Sequence, residues 1–117
     1  CVSADAKDCK TGMSLEDRLK TISVFVNKDS CKSDLTRPGH AFPLCPAKGL
    51  LRERGGHTES SLDLVKLAGL KMVSVIVEVV NLDGSMCHGQ QIPEYCKKHD
   101  LTWVTTEDLK DHIYGES

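Results

Sequence analysis

Val73-Ser74-Val75-Ile76-Val77-Glu78-Val79-Val80 is the most strand-like stretch of the chain. Apolar residues fall on both of its faces, so the pattern predicts a central strand covered on two sides. Asn81-Leu82-Asp83-Gly84 closes it in a turn. Glu78 then lies inside an apolar strand, where a carboxylate must find a partner or take up a proton. A raised pKa would suit a general acid or base at neutral pH. The plainer reading is a structural partner for a nearby arginine. The same run is the longest apolar one in the chain, and it is far too short to cross a membrane as a helix.

Helical patterns flank this stretch. Downstream, Gln90 to Lys98 is amphipathic, with Ile92, Tyr95 and Cys96 on one side. Leu101 to Val104 reads as a short strand. Thr105 or Thr106 then caps a last helix with Leu109 and Ile113 facing inward. Upstream, Thr58 is an N-cap candidate for a helix carrying Leu62, Val65, Leu67 and Leu70, ended by Gly69. Further back, Ala41 to Leu44 is a short apolar run that reads as a strand. Ser14 caps a helix with Asp17 at the capping-box position and Leu15, Leu19, Ile22 and Val26 at helical spacing. The alternation predicts one domain over residues 1–117. Its class is α+β (mixed α/β), with a central mixed sheet flanked by helices.

Composition narrows the function. The chain has 117 residues, with 39% hydrophobic and 27% charged, which excludes disorder as the default. Fifteen basic against 17 acidic residues give a net charge of −2 without a basic block, which argues against nucleic acid as a partner. No apolar run points to a membrane. Six cysteines form no Cys-x-x-Cys, and Cys96-x-x-His99 is a single pair. Free thiols in a reducing, cytoplasmic setting are the favoured reading. A secreted, disulfide-bonded interaction module is the alternative. The chain begins at Cys1, with no basic or apolar leader pattern. That start is read as the result of a removed segment or as part of a longer chain.

Two segments carry chemistry. In Arg54-Gly55-Gly56-His57-Thr58-Glu59, two glycines precede a helix start, where backbone N–H groups and the helix dipole make an anion site. Arg54 could add a bidentate contact to a phosphate, and His57 could bind metal or transfer protons. The plain alternative is a tight turn with a solvated arginine. In Arg37-Pro38-Gly39-His40, Pro-Gly reads as a turn that presents His40 just before a strand, either as a proton shuttle or as an exposed turn histidine. His88, His99, His112 and Trp103 carry no comparable signal.

Together these segments resemble 3,4-dihydroxy-2-butanone 4-phosphate synthase over nearly the whole chain. Thr11-Gly12-Met13-Ser14 through Asp17-Arg18 and Thr21-Ile22 resembles the family's T-G-I-S-x-x-D-R-x-x-T-I. Arg37 to Leu44 resembles R-P-G-H-V-F-P-L, and Arg54 to Glu59 resembles R-x-G-H-T-E. Val2 to Ala6, Leu67 to Leu70, Glu78 and Asp83 to Met86 follow in family order. Leu50, Ser60, Val77 and His88 depart from the usual glycine, alanine, cysteine and arginine.

The resemblance implies a lyase that rearranges ribulose 5-phosphate and expels one carbon as formate, supplying riboflavin synthesis. It implies His40 and Glu78 as catalytic residues. Arg54, Gly55, Gly56, His57 and Thr58 would bind substrate together with Glu78, and His57 would be a metal ligand. It also implies magnesium, with manganese as the alternative, and a homodimer. The family carries an N-terminal portion before the Val2 strand, with an acidic loop that supplies the other metal carboxylate. Without that portion, the sheet is expected to be incomplete and His57 to hold magnesium poorly. A non-catalytic remnant that binds sugar phosphate or dimerises without turnover is the alternative function.

Overall fold

The computed structural model describes residues 1–115. Within these described residues the chain forms an α+β fold of four α-helices and a small antiparallel sheet. Strand β1 (Ala4–Ala6) is buried throughout and pairs with β2 (Leu35–Ala41). The register runs Ala6↔Leu35, Asp5↔Thr36, then jumps to Ala4↔Ala41. Residues 37–40 are the extra length on β2, a broad bulge of the kind that re-aims side chains. The Arg-Pro-Gly-His stretch therefore lies inside β2, not in a turn ahead of a strand at 41–44. The Arg37–Pro38 bond in it is cis.

Helix α1 (Leu15–Val26) starts as expected: Ser14 Oγ accepts the Asp17 N–H at 3.1 Å. Asp17 does not return to the cap. Its Oδ2 instead accepts the backbone N–H groups of Lys10, Thr11 and Gly12 at 3.2, 2.9 and 3.0 Å. Those bonds, the Thr11 one first, hold its carboxyl well below the usual carboxylate range despite burial. Thr21 docks α1 on β1, accepting the Ala6 N–H at 2.9 Å. Leu15, in contrast, is 88% exposed.

Helix α2 (His57–Leu67) begins two residues earlier than a Thr58 cap would place it, with Gly56 as N-cap; Gly69 follows its end at φ +67°. Two carboxylates on α2 bind the preceding loop. Glu59 Oε1 accepts the Ala47 N–H at 2.9 Å, and Asp63 Oδ2 accepts the Leu51 N–H at 3.1 Å. Asp63 Oδ1 also accepts the Tyr114 hydroxyl at 2.9 Å. This ties α4 (Thr106–Tyr114), capped by Thr105, to α2. Arg52 lies over the Tyr114 ring, 4.6 Å from its centroid. Helix α3 (Gln91–Lys98) buries Cys96, and all six cysteines are free thiols.

The largest difference from expectation is residues 73–80. No strand forms there: the backbone runs without ladder partners until an isolated bridge, Val80↔Met86, beside the Asn81–Gly84 turn. Val77 is 88% exposed, and Glu78 is exposed as well. A strand apolar on both faces needs neighbours on both sides. The described sheet stops at two strands and never reaches this segment. Residues 101–104 likewise form no strand. The surface records the same thing. A compact monomer of 12.8 kDa would expose about 6,300 Å², whereas this chain exposes 9117 Å².

Candidate active site

The bulge in β2 creates the most developed polar geometry. Asp5 projects from β1 toward residues 37–40 and meets His40 twice. Asp5 Oδ1 accepts the His40 backbone N–H at 2.9 Å, and Oδ2 lies 2.7 Å from His40 Nδ1. The backbone N–H of His40, more than the ring, lowers the Asp5 pKa against the opposing effect of burial. An ionised carboxylate only accepts, so the ring hydrogen belongs on Nδ1 and Nε2 of the neutral ring is left as a base. Gly12, at φ +76°, closes over this couple, and a Cβ there would collide with Asp5 Oδ2. The three bonds to Asp17 hold residues 10–12 in that position.

Asp5, Gly12 and His40 line one lip of a cleft of about 610 Å³. Its walls are largely apolar, from Phe25 on α1, Phe42 and Leu44 after β2, and residues 72–76. Arg18, Thr58 and Ser61 add polar groups. His40 and Thr58, two of the residues singled out from sequence, thus share one cleft.

Arg54, Gly55 and Gly56 form the adjoining loop, His57 opens α2, and none of the four lines the cleft. Arg54 Nη1 donates to Glu59 Oε2 at 2.8 Å. His57 is the exposed first residue of α2. Glu78 lies two residues past the cleft-lining segment, so the burial behind its reading as a general acid or arginine partner is absent. Among the described residues, no group of three or more His, Cys, Asp or Glu side chains could hold a metal ion. His57 therefore belongs to no such group, and the described residues alone do not fit a resident magnesium.

Sequence reading missed Asp5, Asp17 and the buried carboxylates of α2 as site-building residues. The signal for Asp5 was available: a lone acid between alanines in a strand.

An Asp–His couple thus stands on the lip of an apolar cleft, beside a Gly-Gly loop that opens a helix, in an α+β domain. The sequence model of 3,4-dihydroxy-2-butanone 4-phosphate synthase matches residues 1–112, and the chain belongs to that family. The Erwinia tasmaniensis synthase is 48% identical over 104 residues, covering 89% of this chain and 48% of its own. The Campylobacter jejuni synthase is 43% identical over 111 residues, covering 95% and 33%. The chain thus spans about half or less of the length of these relatives. The Candida albicans synthase structure superposes with a TM-score of 0.91 at 36% identity, covering 96% of this chain and 58% of that one. A synthase in complex with two magnesium ions superposes at 0.83 and 30% identity, covering 96% and 58%.

Proposed function

We propose that residues 1–117 form a single unit of a lyase that converts D-ribulose 5-phosphate to L-3,4-dihydroxy-2-butanone 4-phosphate and formate, in cytoplasmic riboflavin synthesis. The observation that carries this reading is the Asp5–His40 couple at the lip of the cleft. Enolisation of a ketose requires a base that removes a proton beside a carbonyl. His40 Nε2, oriented by Asp5 through Nδ1, is suited to that removal and to returning the proton later. The largely apolar cleft excludes water from a reactive enediol. Arg54, Gly55, Gly56, His57 and Thr58 would hold the phosphate through the guanidinium and the N–H groups at the start of α2. Glu78 is the second catalytic and substrate-touching residue of this reading. It would need residues 77–80 to move toward the cleft.

Magnesium, or manganese in its place, would polarise the substrate carbonyl and hydroxyls when bound. His57 is its ligand in this reading, with the remaining ligands coming from outside the described residues or from a partner copy in a homodimer. The second reading is that this chain binds sugar phosphate or dimerises without turnover.

Proton NMR for formate, with the chain, ribulose 5-phosphate and magnesium, separates the two. Formate from wild type and none from His57→Ala supports the lyase reading. Calorimetric binding without formate, even with the relatives' N-terminal portion added in trans, supports the second.

A further inference from the structure

The Glu59 carboxylate is 1% exposed, yet it is ionised in character and fully engaged. The Ala47 N–H on Oε1 is the main cause of its lowered pKa, and the Arg54 charge on Oε2 adds to it. Arg54 is in a different state. Its side chain is 64% exposed, and Nη1 to Glu59 is its one side-chain hydrogen bond among the described residues. The guanidinium is thus anchored at one nitrogen and open at the others. The pair also explains Gly56. A Cβ at Gly56 would stand 2.5 Å from Glu59 Oε2 and 2.6 Å from Arg54 Nη1. The bare α-carbon is what lets the ion pair close against the N-cap of α2.

We propose that Glu59 is a positioning residue. It clamps Arg54 against Gly56 at the start of α2, so that the open N–H groups of the guanidinium and the backbone N–H groups of the helix start meet the same phosphate. A free arginine would lose rotamer freedom on binding an anion, whereas one already fixed at Nη1 loses less. Asp63, one turn further on, is equally buried but binds Leu51 and Tyr114 and makes no hydrogen bond to Arg54. It is therefore the structural control. This inference rests on the anion-binding reading of residues 54–58.

The test combines calorimetric titration of the intact chain with ribulose 5-phosphate and nitrogen-15 NMR of the Arg54 guanidinium without ligand. Glu59→Gln should weaken binding about tenfold and speed exchange of the Arg54 Nη hydrogens. Asp63→Asn should lower Tm and leave affinity within about twofold. Gly56→Ala should reproduce the loss with the carboxylate still present, and the double variant should bind no worse than the weaker single one. Affinity within twofold of wild type in Glu59→Gln, or in Gly56→Ala should the first not fold, overturns the proposal. No binding by wild type overturns the anion-binding reading itself. Arg54 exchange unchanged by Glu59→Gln then overturns the clamp on its own.

Discussion

Asp5 grips His40 at two points, the backbone N–H through Oδ1 and the ring through Oδ2. The strand mismatch between Ala4↔Ala41 and Asp5↔Thr36 is what makes room for both bonds. The ring cannot rotate without losing one carboxylate contact, and the strand cannot straighten without losing the other. Asp5→Asn keeps the shape but lets the His40 tautomer reverse. We expect formate release by the synthase assembly to fall about 10²- to 10⁴-fold in His40→Ala. Asp5→Asn should lower kcat with little change in KM, read by steady-state NMR assay.

Acid should destabilise the chain through Asp17, Asp5 and Glu59, whose pKa values are all lowered by hydrogen bonds in the fold. The unfolded chain takes up protons near the ordinary values of 3.8 and 4.5. The folded chain resists protonation to lower pH. This stability is therefore complete above those values and is lost as pH falls below them. Asp17→Asn should lower Tm at pH 7 by on the order of 10 °C. The gap to wild type should narrow as pH is taken from about 5 toward 2, followed by circular dichroism.

Leu50, a departure from the glycine that the family resemblance implies, has a φ of +50°. A side chain in that region costs roughly 1–2 kcal/mol. Glycine would relieve it but adds about 0.5–1 kcal/mol of unfolded-chain entropy. Leu50→Gly should therefore stabilise by a net of about 0.5–1 kcal/mol, measured by urea unfolding. A loss of stability would mean that Leu50 packing outweighs its backbone conformation.

Ser60 bonds Gly56 O at 3.0 Å and Thr106 Oγ1 at 3.2 Å. It joins the start of α2 to the start of α4. Ser60→Ala should cost about 0.5–1.5 kcal/mol by the same unfolding experiment.

Val77 gives the sharpest check on residues 73–80. A central-strand valine replaced by lysine would cost several kcal/mol. With Val77 88% exposed, Val77→Lys should change stability by less than about 0.5 kcal/mol.

What the residues reveal locally, they reveal well. The Ser14 cap, the start of α4 at Thr105 and the turn at Asn81–Gly84 depend on neighbours three or four positions away. Long-range pairing behaves otherwise. Residues 73–80 carry strand propensity, but a strand exists only where another strand meets it. The Pro-Gly of β2 reads as a turn because nothing nearby signals that Asp5, 35 residues earlier, bonds His40. The site was half visible for the same reason. Arg54 to Glu59 is contiguous and announces itself. The Asp5–His40 couple joins distant segments, and Glu78 was judged by a burial that the fold does not provide.

The small buried core has a calorimetric consequence. Among the described residues, only Ala4, Ala6, Leu51, Cys96 and Leu109 are buried apolar residues. The heat-capacity change of unfolding follows the apolar area newly wetted, roughly 12–15 cal/mol/K per residue in ordinary globular proteins. A chain that already wets many of its valines and leucines has less left to expose. Its heat-capacity increment should fall well below that norm, and its stability curve should be correspondingly flat.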